Sequence, residues 1–494
     1  MPEERKTIEA RLSASPEVYR HTKFMARFEK ACPWLLVGGA ALVLLETYRK
    51  NANDRAKANA DIKAALKNQE HQAEVLKEQI RQFDENAFKE RKAERRERYT
   101  KAVEQLGSKE APVRMGGVYT LIGLVDEWIE DESIEKYEDR VKEGQVIVNS
   151  LCAYIRSSFA LAFHYDELTQ ESPTAEGLYK NREQEFYIDK AALESEADVR
   201  LSIIKEIRHR LQGPDKNSPG TWSDFEYDFS GSTFFYPVDL TKSYYTKPVN
   251  FSGSTYQDEV RFDGSVYKDE ADFGSSIYKS WATFMSSTYT GWVGFNCSTY
   301  QSWADFSAST YQDGATFMSS TYQSWADFSD STCQSEVYFS DSTYKGKADF
   351  CGSTYQNEVY FSYSTYQSEA DFSDSIYHGK ADFSDSTYRG WADFRNSTYQ
   401  GRAGFTGSTY QNEVYFSGST YEDKANFSGS IFCGDVYYGK DRYNSNFSRF
   451  TDCTPQFYNE NSHQNTLFGS PNNNFIVDTD KGYPINLNSE GLPL

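Results

Sequence analysis

From Phe229 onward, large side chains return at fixed intervals. Phe or Leu stands at 229, 240, 251 and 262, then at every eleventh residue to Phe427, and Tyr438 closes the series. A second aromatic follows each of these after five residues, as in Phe234, Tyr245, Tyr256 and Tyr267, interrupted only by Cys333. Small residues keep the same time. Ala or Val stands two places before each first-series aromatic from Phe251 on, and Ser two places before each second-series aromatic from Ser254 to Ser430. Steps that alternate five and six scatter around a cylinder with 3.6 residues per turn, so a helix is excluded. Long antiparallel strands would alternate with period two and need turn residues every eight to twelve positions. Short edges fit instead, each placing one small and one large residue inward before turning a corner. Stacked at about 4.8 Å, such edges build a β-solenoid whose like side chains form columns.

The outward residues set the size of one coil. Asp305, Asp327, Asp349, Asp371 and Asp393 recur at 22, and Trp281, Trp303, Trp325 and Trp391 share one 22-residue phase. Neighbours in space are therefore expected 22 apart, with four faces per coil. About nine or ten coils follow, a rod near 46 Å long at the sheet spacing. The inward Tyr hydroxyls need partners, because a buried unpaired hydroxyl costs free energy. Either the Ser columns supply them or the rings lie partly outward.

The unit "ADFSDSTYQ" resembles the pentapeptide-repeat family, whose five-residue unit has a large central residue and a small one two before it. Ala-Asp-Phe-x-x matches one unit and Ser-Thr-Tyr-x-x the next. This chain departs by one added residue after every second unit, and by Phe or Tyr in place of Leu. "ERYTKAVEQLGSKEAPVRMGGVYTL" is similar to the segment often found before the repeats in membrane-attached bacterial members. The resemblance implies a right-handed quadrilateral β-helix of about 22 residues per coil, with no cofactor and, in most members, no catalytic activity.

Upstream the pattern changes three times. Residues 1–30 are polar, and "ACPWLLVGGAALVLL" (31–45) then carries no charge. A helix over 31–48 is read as a transmembrane anchor, with flanking Lys and Arg absorbing its short length. No small-residue cleavage pattern follows it, against a signal peptide. Lys and Arg number five each over 11–30 and 46–65, so orientation stays open. Residues 49–98 read as a charged helix. Within 62–87, Ile62, Leu66, Gln69, Ala73, Leu76, Ile80, Phe83 and Ala87 follow steps of four and three. That heptad seam favours a parallel coiled coil, hence a homo-oligomer, over a lone stalk helix held by ion pairs. Residues 99–212 read as an all-α domain. "APVRMGGVYTL" and "ADVRLSIIKEI" both set Val-Arg at a helix start, which looks like a HEAT-type repeat helix. Residues 213–226, with "GPDKNSPG", read as a linker, 227–438 as the β-helix, and 439–494 as a C-terminal cap and tail.

Charge and chemistry narrow the function. The net charge is −21 over 494 residues, and no Lys or Arg lies between Lys279 and Lys345. Direct nucleic-acid binding is disfavoured, and base stacking on the Trp column lacks the cations it needs. The Asp column is expected to be a solvated acidic edge rather than a cation site. Seven scattered cysteines without CxxC spacing point to reduced thiols, not a disulfide framework or zinc site. No GxxxxGK[ST], HExxH or GxSxG is present, and no His keeps register with a Ser, so no catalytic, cofactor or metal residue is assigned.

The expected function is a non-catalytic, membrane-anchored scaffold that presents an acidic rod to protein partners. It would be single-pass through 31–48, with the bulk of the chain in the cytoplasm. The alternative is a DNA mimic. Some pentapeptide-repeat proteins bind DNA gyrase in this way, and Tyr227–Tyr438 carries 26 acidic and 12 basic residues.

Overall fold

A computed structural model describes residues 40–443, 446–459 and 463–494. Residues 1–30 and the first half of the expected membrane helix 31–48, residues 31–39, lie outside these. Among the described residues no single helix is long and apolar enough to cross a membrane. The chain divides into two compact units, 1–91 and 92–494. Helix α1 (Ala40–Leu106) is continuous through the charged region, followed by α2 (Ala111–Ile129), α3 (Tyr137–Arg156), a short 3-10 turn (Ala160–His164), α4 (Tyr165–Leu168) and α5 (Glu183–Leu211).

Beyond them, two-residue strands alternate around the coil and form four parallel sheets, three of ten strands and one of eleven. Each sheet is one face. The first runs from Tyr227–Asp228 to Ala425–Asn426, the second from Thr233–Phe234 to Leu467–Phe468. The third runs from Val238–Asp239 to Val436–Tyr437, the fourth from Tyr244–Tyr245 to Arg449–Phe450. The register is 22 through the regular coils, as in Ala326↔Ala348 and Thr321↔Thr343, and lengthens only at the last strands of the second and fourth faces. The structure is thus a β-solenoid of about ten coils with four faces.

The backbone ladder explains why the sequence is so strict. On the third face the Phe328 N–H donates to the Asp349 carbonyl of the next coil (2.7 Å). On the second, Thr321 N–H donates back to the Ser298 carbonyl (2.9 Å). One residue between two inward side chains leaves room for only one Cβ-sized and one ring-sized group per face. Phe rings of the first and third faces interlock edge to face down the centre (Phe317–Phe328, 5.1 Å), while each also stacks on its own column (Phe306–Phe328, 4.9 Å). Tyr columns flank them, Tyr322 lying parallel to Tyr344 at 4.8 Å. Such pairs contribute roughly 0.5–1.5 kcal/mol each beyond area burial.

The inward Ser is required for a different reason. Ser342 Oγ accepts the Ser320 N–H (3.2 Å), and Ser320 Oγ donates to the Phe295 carbonyl (3.3 Å). The same bridge repeats coil after coil and closes the corner where the ladder breaks. Those hydroxyls are therefore occupied by backbone. Among the described residues, fourteen phenol oxygens of the two Tyr columns, Tyr322 and Tyr344 among them, have no hydrogen-bond partner within the chain. Tyr278 reaches the Phe273 carbonyl at 3.5 Å. The rings lie fully inside, so neither source of partners that the sequence suggests is used for most of them.

Every eleventh residue from 231 to 429 holds a positive φ, which turns the five-residue step through its corner. Only seven of these nineteen positions are Gly; Ala308 (φ 53°) is one of the twelve others. A left-handed L-residue costs about 1–2 kcal/mol, part of which the freer unfolded chain of a Gly variant cancels. Ala308 has no side-chain polar atom to compensate. Ala308→Gly should therefore raise stability by about 0.5–1 kcal/mol in urea unfolding. A lower midpoint would contradict this reading of the corner.

The helices close the first coil. Residues 213–226 are not a free tether, because Trp222 and Phe225 are buried between the helices and the solenoid. A Cβ on Gly144 of α3 would sit 2.8 Å from the Phe225 ring, so the helix can approach this closely only with Gly. Phe159 stacks on Phe235 (5.5 Å), Arg208 pairs with Asp239 (2.8 Å), and Arg156 pairs with Asp228. Behind this contact the two Val-Arg motifs converge. Glu196 is buried and accepts from Arg200 Nε (2.8 Å) and the Tyr154 hydroxyl (3.0 Å), with Arg114 Nη2 at 3.1 Å. Arg200 also donates to the carbonyls of Ile155 (2.7 Å) and Ser157 (2.9 Å).

At the other end the tail continues the coil without its repeat. Arg449–Phe450 extends the fourth face and Leu467–Phe468 the second, while single bridges join Asn426 to Gln456 and Tyr437 to Asn474. Phe450 stacks on Tyr421 (4.7 Å), Phe457 on Phe427 (5.3 Å) and Phe468 on Phe432 (5.3 Å), covering the last regular coil.

Candidate interaction surface

Inward positions are spent on the core, so recognition rests on outward ones, and the four faces differ. The second and fourth present Thr: Thr299, Thr321, Thr343, Thr365, Thr387 and Thr409 follow one another on the second. Acids and aromatics collect on the first and third.

The Asp column of the third face is not the solvated edge expected from sequence. Asp305, Asp349 and Asp393 are buried, and Asp327 and Asp371 are half-buried. Each carboxylate folds back on its own turn: Asp327 Oδ1 accepts the Ser329 N–H (3.0 Å) and hydroxyl (2.6 Å), an Asx-turn that fixes the corner. Burial first, and the neighbouring Asp305 and Asp349 after it, push Asp327 above the usual carboxylate range, opposed by Ser329. A raised folded value means that the associated stability is complete below the unfolded carboxylate range and is lost as pH rises through the folded value. Asn250 makes the same turn with Ser252 on the first face (2.9 and 2.7 Å). Asp327→Asn should therefore keep the corner and stabilise the rod at pH 7 by about 0.5 kcal/mol, the scale of a partly exposed charge contact. The gain should shrink as pH falls through the raised folded value, where the wild-type carboxyl takes up its proton. A pH-independent effect in parallel unfolding curves would assign it to packing instead.

Asp349, Cys351 and Asp371 are a group whose ligand atoms lie within 4.8 Å of one another. Their chemistry is poor for a cation. Lys347 Nζ already sits on Asp349 (2.8 Å), with Glu369 at 3.4 Å. Burial and then Asp349 push the Cys351 thiol up, holding it protonated, and the thiolate is the ligand form. All six described cysteines are free.

The Trp column is a ladder rather than a platform. Trp303 stacks on Trp325 (5.6 Å), Trp281 meets Trp303 edge to face (6.1 Å), and Lys347 lies 5.9 Å above Trp325. The inner ring faces are thus taken, and what reaches solvent is Trp281, 54 % exposed, and the edge of Trp325.

Sequence reading missed a second kind of aromatic. Where Val replaces the inward Ala, Tyr often follows it outward and hydrogen-bonds the acid two residues before. Tyr437 donates to Asp435 (3.0 Å) and Tyr415 to Glu413. The signal was the recurring Glu-Val-Tyr at 336–338, 358–360 and 413–415. At the C-terminal end of the third face these rings gather two cations. Tyr415 stacks on Tyr437 (5.1 Å), Arg395 lies 4.2 Å and Arg442 5.0 Å from the Tyr443 ring centre, and Arg395 clamps Asp393. Tyr443 and Arg442 remain largely exposed.

No family model matches the chain, and no curated protein or solved structure is detectably similar to it.

Proposed function

We propose that the protein is a non-catalytic scaffold whose third face docks protein partners. One observation carries this reading: Tyr443 and Arg442 stand exposed together, over a base of buried rings and the Arg395–Asp393 ion pair. Tyr, Trp and Arg dominate the energetics of protein interfaces, and rings already held in place lose little freedom on binding. The coil geometry supports membership of the pentapeptide-repeat family and its right-handed quadrilateral β-helix. Val113-Arg114 opens α2, but Val199-Arg200 sits in the middle of α5 and not at a helix start, so the support for a HEAT-like relation of residues 99–212 is only that the two arginines share Glu196. In this reading residues 31–48 anchor the chain in a membrane, with the bulk in the cytoplasm.

A photo-crosslinking residue in place of Tyr443 should give a discrete protein adduct in cells, while one in place of Thr321 should not. Equal labelling from both sites would remove the docking patch. The anchor is tested separately. The full chain should float with membranes and a chain lacking 31–48 should not; a full chain found in the soluble fraction would refute it.

The DNA mimic is the weaker reading. Three of the five column carboxylates are buried, two of these pair with Lys347 and Arg395, and Lys380 neutralises Asp382, so the 26 acids are not a phosphate-like exposed array. Inhibition of gyrase supercoiling by the full chain at micromolar concentration would restore it.

A further inference from the structure

Residues 62–87 of α1 form one uninterrupted stretch of helix whose seam is bare. Ile62, Leu66, Leu76, Ile80 and Phe83 are 53–74 % exposed, and every residue from Glu46 to Asn86 is exposed. A helix in water with an open apolar stripe gains its stability from a partner. Ion pairs within this stretch lie elsewhere on the helix, Arg81 with Glu78 (2.6 Å) and Glu85 (3.5 Å). Lys63, Glu70, Lys77 and Asp84 are spaced by seven along one flank of the seam. Among the described residues they make no ion pair.

We propose that this segment pairs with a second copy of the chain in antiparallel orientation, so that Ala73 packs against Leu76 of the partner subunit. That register brings Leu66 onto the partner's Phe83, Ile80 onto the partner's Gln69, and Ala87 onto the partner's Ile62. Two of these four layers set Ala against a large residue, and the apolar seam overlaps along its whole length. The flank charges then meet their opposites: Lys63 faces the partner's Asp84 and Glu70 faces the partner's Lys77, each twice by symmetry. Polar Gln72 falls beside the partner's Gln79 on the other flank. In the parallel arrangement favoured by the heptads alone, Ala73 would face Ala73 and Phe83 would face Phe83. The same four charges would then meet only Ala58, Ala65, Gln72 and Gln79. Charge complementarity sets partner and orientation in coiled coils, so the antiparallel pair is specified. This pairing does not depend on the role of the solenoid.

Sedimentation equilibrium of the full chain in mild detergent tests it. Wild type should form a two-copy species. Lys63→Glu/Lys77→Glu, and separately Glu70→Lys/Asp84→Lys, turn four attractive contacts into four repulsive ones and should each weaken self-association about 100-fold. An equimolar mixture of the two variants should recover a mixed pair, which also shows that both remain folded. A wild type that stays single at tens of micromolar overturns the proposal. So do variants that associate as wild type does, the outcome of parallel pairing, or a mixture that fails to recover.

Discussion

Alkali should unfold the solenoid in a narrow step just above pH 10. Sixteen Tyr of the second and fourth faces, from Tyr245 to Tyr421, are completely buried, and burial pushes every one of their phenols well up from the ordinary value. A folded value raised above the unfolded one leaves stability intact below pH ~10 and removes it as pH climbs toward the folded value. Each phenol contributes about 1.4 kcal/mol per pH unit in that window. Sixteen acting together remove roughly 20 kcal/mol within one unit, more than the roughly 5–15 kcal/mol that holds a domain together. Near-ultraviolet phenolate absorbance and the β-sheet circular dichroism should change together, over a few tenths of a pH unit. A broad phenolate titration with the sheet signal intact would mean that the rings reach solvent in the folded rod.

The second large effect lies at the other end of the protein. Glu196→Ala should destabilise the helical cap by about 3–5 kcal/mol, because it strands Arg200 and Arg114 without their shared counter-ion in a site that water does not reach. Glu194, two residues earlier on α5 and exposed, should tolerate Ala within about 0.5 kcal/mol. Hydrogen exchange of α5 amides reads both variants. Equal protection in the two would show that the Arg–Glu–Arg cluster carries no net stability. Loss confined to Glu196→Ala would identify it as the lock between helices and first coil.

The coil was legible because each role recurs: an inward Phe is stated eighteen times over with one Leu and one closing Tyr, and the 22-residue Asp and Trp phases fix four faces. What repetition shows is position, not the use of a side chain. Asp327 reads as outward in any such alignment, and only the Asp-x-Ser spacing hints that its carboxylate bends back onto Ser329. The Val-Arg pairs were visible as a motif, but the residue on which both converge, Glu196, has no signature of its own. Tyr hydroxyls posed a question to which the Ser column was one of two answers. The backbone claims those hydroxyls first, which no linear pattern discloses. A cap over 439–494 was expected, but that it continues the coil escaped for the opposite reason: Phe450, Phe457, Phe468 and Phe475 are spaced by loops, so the same inward rings occur without the same interval.

The fixed 22-residue register also makes the rod a graduated ruler. Any two side chains in one column are separated by a whole number of coil heights, so Trp281 and Trp391, five coils apart, are held about 24 Å apart along the axis. Neither distance nor direction can drift without breaking four ladders at once. A partner that grips two marks on one face is measured against a scale with divisions of about 4.8 Å, and gaining or losing one coil would move the far mark by one division and leave its bearing unchanged.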